Sequence, residues 1–105
     1  MKIINRIKAS EDFALAIKKG KVQRNPSYTI HYRENEYTYT RVGISVSSKL
    51  GNAVVRNRIK RQVRMICDEL LCYTQPVDIV IVVRKNYLDH SFEDNKESFK
   101  QFLVK

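Results

Sequence analysis

A chain of 105 residues that is 43% hydrophobic has room for one domain around one modest core. It carries 20 lysines and arginines against 11 aspartates and glutamates, a net charge of +9, which favours nucleic acid as a partner, then an anionic membrane surface, over a merely soluble basic protein. The longest apolar run, Ile79 to Val83, is far too short to span a bilayer, and the opening Met1-Lys2-Ile3-Ile4-Asn5-Arg6-Ile7-Lys8 is too short in apolar residues for a secretory signal. Cys67 and Cys72 stand five apart in a helical stretch and have no histidine partners. They point in different directions, so neither a disulfide nor a zinc site is expected, and both read as reduced thiols of a cytoplasmic protein.

Residues 1–9 mix lysine, arginine and isoleucine and read as a flexible basic arm. Ser10 suits a helix N-cap, with Glu11 and Asp12 where the helix dipole favours acids. Phe13 and Ile17 are four apart and share a face; Lys18 and Lys19 suit the last turn, and Gly20 is typical just past a helix end. A first helix is therefore expected over residues 10–19. Residues 21–24 form a short strand ahead of Pro26. Tyr28, Ile30 and Tyr32 alternate with Thr29, His31 and Arg33. After a polar turn at Glu34-Asn35-Glu36, Val42, Ile44 and Val46 alternate with Arg41, Gly43, Ser45 and Ser47. This predicts a hairpin with one face in the core and one open. Gly51-Asn52 stops the strand and opens a long helix over residues 53–73, which Gln75-Pro76 breaks. Val77-Asp78-Ile79-Val80-Ile81-Val82-Val83 is apolar on both faces, as a central strand is. Ser91 can cap a last helix carrying Phe92, Phe99, Phe102 and Leu103. The order αβββαβα predicts an α+β fold: a single domain over residues 1–105, built as a two-layer α/β sandwich with one sheet of about four strands.

The long helix carries the functional argument. At 100° per residue with Val55 at zero, Ile59, Val63, Ile66 and Leu70 fall at about 40°, 80°, 20° and 60°, one narrow apolar stripe. Lys60, Arg64, Asn57 and Arg61 fall between about 140° and 240°, away from the stripe, with Arg56 and Arg58 on its flanks. No acid occurs from Tyr37 through Cys67. Arg41, Lys49, Arg56, Arg58, Lys60, Arg61 and Arg64 therefore have no local i,i+4 carboxylate to neutralise them. Basic helix faces are common for solvation alone. Here the acids that a stability-driven surface would interleave are missing. Arginine, which forks onto phosphate oxygens, is preferred to lysine, and Asn57 adds a group that both donates and accepts. The pattern points to RNA. No catalytic residue or metal ligand is expected in the protein. His31 and His90 lack spaced Asp, Glu or Cys partners, and Lys49-Leu50-Gly51-Asn52 lacks the spaced glycines of a phosphate-binding loop.

Arg41 to Arg64 reads RVGISVSSKLGNAVVRNRIKRQVR. This resembles the bacterial ribonuclease P protein family, which carries an RNR motif, here Arg56-Asn57-Arg58. In that family the motif follows a strand ending in Ser-Lys-Lys and a Gly-Asn-Ala-Val step, here Gly51-Asn52-Ala53-Val54. The likeness extends through Arg6-Ile7-Lys8, Glu11-Asp12-Phe13 and Lys19-Gly20 to Asp78-Ile79-Val80 and Arg84, nearly the whole chain. The resemblance implies the protein subunit of an endoribonuclease that removes the 5′ leader of precursor tRNA. A large RNA subunit performs the hydrolysis with magnesium ions, and neither a membrane nor an obligate protein partner is involved. It also implies a left-handed βαβ crossover, which the usual handedness rule argues against. Carried across by position, Arg56, Asn57, Arg58, Lys60, Arg61 and Arg64 face the RNA subunit, with Lys49 and Arg41 beside them. Phe13, Ile17, His31 and Tyr32 fall at the leader cleft between the first helix and the sheet. Phe13 also reads as an ordinary core residue. Ile17 stands where relatives often have Phe, and His31 falls about where an aromatic is common. Which of His31 and Tyr32 faces the leader is open. Ser48 replaces the first lysine of the usual pair and removes one phosphate contact.

Overall fold

A computed structural model describes residues 1–102. Helix α1 (Ser10–Lys19) leads into strands β1 (Lys21–Arg24), β2 (Tyr28–Glu34) and β3 (Arg41–Ser45), then helix α2 (Ala53–Leu70), strand β4 (Val77–Val83) and helix α3 (Phe92–Lys100). This is the expected α+β order. Leu103, expected on the last helix, lies outside the described residues.

The four strands form one sheet in the order β1-β2-β4-β3. The hairpin expected between β2 and β3 does not form. β4 lies between them, antiparallel to β2 and parallel to β3, with Ile81 opposite Ile30 on one side and Ile44 on the other. Alternation tells which side chains share a face, but not which strand lies next door. β4 is apolar on both faces and gains most from the centre. Two parallel neighbours need a crossover between them, and α2 is that crossover.

The two faces of the sheet are covered unequally. On one, Tyr28, Ile30, Ile81 and Val83 meet Ile59, Val63 and Ile66 of α2 and Phe99 of α3 in the main core. Tyr28 packs edge-on against Tyr87 and Phe99 and donates its hydroxyl to the Asn95 carbonyl at 2.8 Å. On the other face, Val80 and Val82 meet Ile7, Phe13 and Ala16 in a smaller core beneath α1.

Three local expectations are corrected. The opening segment, expected as a loose arm, is docked. Ile3–Asn5 make one 3-10 turn, the buried Asn5 donates Nδ2 to the Thr40 carbonyl at 2.8 Å, and the buried Ile7 donates its amide to Val42 at 3.0 Å. β3 is an edge strand, and its free backbone groups recruit this segment. Ser10 is the first helical residue, and Ala9 holds the cap position without a side-chain bond. Gly20 is extended, at φ −78° and ψ 166°. Its role is clearance: a Cβ there would sit 2.3 Å from the Ala16 carbonyl oxygen and 2.8 Å from that of Tyr32.

Candidate nucleic-acid interface

α2 begins where the Asn52 side chain accepts a hydrogen bond from the Val55 amide at 3.1 Å. It ends at Leu70, short of the expected residue 73. Leu71 is extended and packs on the main core, and Tyr73 takes a left-handed φ of 57°. Ile59, Val63 and Ile66 are fully buried, and Val55 and Leu70 are partly so. That stripe sets the helix rotation. Asn57, Arg58 and Arg61 are exposed, while Arg56, Lys60 and Arg64 are half-buried. Every ion pair among the described residues lies elsewhere, so none of these four arginines and one lysine has a carboxylate of the described residues within 4 Å. The Arg56 Nε is buried and meets no acceptor among the described residues. No acid occupies the first turn of α2, so the positive end of the helix dipole adds to the arginines. The exposed Lys49 sits just ahead, on the turn Ser48–Leu50 that Ser47 caps by accepting the Lys49 amide at 3.1 Å.

Arg41 departs from this pattern. Its Nε and Nη2 donate to the two oxygens of Asp78 at 2.9 and 2.6 Å, and Nη1 reaches Asp12 at 3.3 Å. The guanidinium also lies 4.5 Å from the Tyr37 ring centroid. The side chains of Arg41 and Asp78 are only 12% and 8% exposed. The hydrogen bonds to Asp78, against the opposing effect of burial, hold the guanidinium pKa above its ordinary value. Arg41 thus ties α1, β3 and β4 together instead of standing unneutralised. A partner 37 positions away leaves no local signal in the sequence.

The cleft residues divide between the two sheet faces. Phe13 presses on β3 at Gly43, where an added Cβ would lie 2.4 Å from the ring. Ile17, on the same side of α1, is 45% exposed. His31 lies opposite Val80 and Val22, on the α1 side of the sheet. Burial first, and the Arg24 cation second, lower its pKa, and its Nδ1 is buried without a partner among the described residues. Tyr32 faces the other way, because successive strand residues point to opposite faces. It packs against the main core, beside an apolar hollow of about 240 Å³, and its hydroxyl is 3.3 Å from Gln23 Nε2. Phe13, Ile17 and His31 are therefore on the α1 side, and Tyr32 is not. One residue was missed. Arg6 lines a groove with Lys60 and Arg64, and no periodicity in the opening segment could have placed it there.

Residues 1–105 match the family model described as Ribonuclease P. The chain belongs to the ribonuclease P protein family. It is 41% identical over 101 residues to the ribonuclease P protein component of Mesoplasma florum, covering 94% of this chain and 92% of the relative. Among solved structures it is similar to the Staphylococcus aureus RNase P protein, with a TM-score of 0.87 at 35% identity, covering 94% and 92% of the two chains. The Thermotoga maritima RNase P protein gives a TM-score of 0.83 at 32% identity, covering 93% and 94%. A ribonuclease P protein is a component of an endoribonuclease. Among the described residues no group of three or more His, Cys, Asp or Glu could hold a metal ion. No helix described is long and apolar enough to cross a membrane.

Proposed function

We propose that this chain is the cytoplasmic protein subunit of ribonuclease P. It binds the catalytic RNA subunit along the outer face of α2 and holds the 5′ leader of precursor tRNA on the α1 side of the sheet. In this way it assists endonucleolytic removal of the leader. The observation that carries the reading is the α2 face. Its apolar stripe is anchored in the core, and among the described residues its cations have no carboxylate to answer them. Holding like charges together costs stability, which a polyanion offsets. Arg56, Asn57, Arg58, Lys60, Arg61 and Arg64, with Lys49 at the approach, form the RNA-subunit contact.

The leader side works by different physics. An unpaired strand is held by stacking and by cations along its backbone, with little demand on sequence. Phe13 offers an aromatic edge there, Ile17 plain apolar contact, and His31 a half-buried imidazole. Among the described residues no group of three or more His, Cys, Asp or Glu could hold magnesium, and in this reading the ion belongs to the RNA subunit. No obligate protein partner is required.

Adding the chain to its RNA subunit at low magnesium should accelerate cleavage of precursor tRNA, and unchanged cleavage overturns the reading. Precursor tRNA should also bind the complex more tightly than mature tRNA. Equal affinities would make the chain a structural RNA-binding module without a leader site.

A further inference from the structure

The free edge of β3 is only half covered. Asn5 takes the Thr40 carbonyl and the Ile7 amide takes that of Val42, so the Thr40 and Val42 carbonyls turn toward the opening segment. Strand parity turns the Ile44 amide the same way, and among the described residues no backbone acceptor meets it there. A groove of about 110 Å³ opens at this point. Phe13, Gly43 and Ile44 give it an apolar lining; Arg6, Lys60 and Arg64 give it its cations. None of the three has a carboxylate within 4 Å among the described residues. Asp68 is near enough to feel Arg6, but the Tyr73 hydroxyl holds it at 2.7 Å and the Met1 amino group at 2.5 Å.

We infer that this groove is a subsite for one phosphodiester group of a single RNA strand, with Arg6 as its third cation. The inference rests on the ribonuclease P reading and adds to it a residue and a place. Guanidinium forks, an ammonium and an unpaired amide all donate to phosphate oxygens. The apolar lining suits the sugar or base attached to that phosphate, which a free inorganic ion lacks. The groove also joins two surfaces: Phe13 belongs to the α1 side, while Lys60 and Arg64 belong to α2. A strand leaving the α1 side toward α2 passes Arg6.

The test follows backbone amide spectra of the whole chain during titration with a five-uridine oligonucleotide and, separately, with inorganic phosphate at equal phosphate concentration. The oligonucleotide should move the Ile44 amide. Arg6→Gln should abolish that movement and weaken oligonucleotide affinity about tenfold, while resonances around Asn57 and Arg58 still respond. Arg6 is exposed and its bridge to Val42 is made by the backbone, so the variant keeps the fold; its amide spectrum checks this. Arg6→Lys retains the charge and should recover part of the affinity. An equal Ile44 shift with inorganic phosphate assigns the groove to a free anion and overturns the strand subsite. An Ile44 shift and an affinity that survive Arg6→Gln overturn it as well. Either result leaves the ribonuclease P reading standing if the unmodified chain accelerates precursor cleavage. Failure of the unmodified chain in that assay sinks the reading itself, whatever the Ile44 amide does.

Discussion

Helices α2 and α3 pack on the same face of the sheet and treat surface charge in opposite ways. On α3, Lys96 lies 3.2 Å from both Glu69 and Glu93, and Lys100 lies 3.0 Å from Glu97. On α2, Arg58, Lys60, Arg61 and Arg64 have no such partners among the described residues. The cations of α3 are answered by carboxylates, one of them Glu69 at the end of α2 itself; the cations of α2 present a face that needs something from outside. Arg41 and Arg61 repeat the contrast within one charge type: Arg41 is tied to Asp78 and Asp12, while Arg61 is exposed.

The largest effect should come from breaking the paired member. Arg41→Met leaves the Asp78 carboxylate buried without its cation, and such a loss costs about 3–5 kcal/mol. Arg61→Met removes an exposed charge from a like-charged face and should change stability by no more than about 0.5 kcal/mol. Urea unfolding of the two variants decides the matter, and equal destabilisation would erase the distinction between structural and partner-facing arginines.

RNA affinity should rank α2 and α3 the other way round from a purely structural reading. Replacing Arg61 and Arg64 with Ala should weaken binding of the RNA subunit by about 3 kcal/mol, from two charge-assisted contacts. The slope of log affinity against log salt should fall by about 1.4–1.8 in magnitude. Replacing Lys96 and Lys100 with Ala should leave that slope where it was. A slope unchanged by the α2 pair, or reduced equally by the α3 pair, would remove α2 as the special face.

What the sequence could show follows from the range of each signal. The α2 stripe was legible because Val55, Ile59, Val63, Ile66 and Leu70 repeat with the period of a helix, and that stripe alone fixes where Asn57 and Arg61 point. β4 was legible as central because it is apolar on both faces. The neighbours of β3 were not legible, since alternation carries no information about pairing. The docking of residues 1–9 depends on a β3 edge that exists only once β4 has taken the centre. The same limit hid the Arg41–Asp78 pair and the groove role of Arg6. His31 and Tyr32 are a milder case: strand parity already puts them on opposite faces, and the position of α1 decides which face is the proposed leader side.

The two sides of the sheet offer a further contrast. The α1 side has the smaller core, and one contact dominates it. Gly43→Ala would place a methyl group 2.4–3.0 Å from the Phe13 ring. The ring must move, and overpacking of this kind costs about 1–3 kcal/mol. Because Phe13 belongs to the proposed leader side, affinity for precursor tRNA should fall while affinity for mature tRNA stays. A variant that loses both equally places the leader elsewhere. An unchanged unfolding midpoint would mean that Phe13 does not rest on β3.

The smallest effect concerns the imidazole on that side. Burial, then the Arg24 cation, hold the His31 pKa below its ordinary 6.5, so the unfolded chain takes up the proton more readily than the folded one. The contribution to stability is therefore complete above pH about 6.5 and is lost as pH falls from there through the lower folded value. Unfolding midpoints measured between pH 7.5 and pH 5 should show this loss in the unmodified chain and a smaller one in His31→Gln. A leader strand on the α1 side reverses the local field, because its phosphates oppose Arg24 and favour the charged imidazole. Leader binding should then take up a proton at His31, and affinity for precursor tRNA should rise as pH falls through the same interval. A strand bound only along α2 leaves the His31 titration where it was, so an unmoved histidine resonance in the complex would separate the two RNA surfaces and vacate the α1 side.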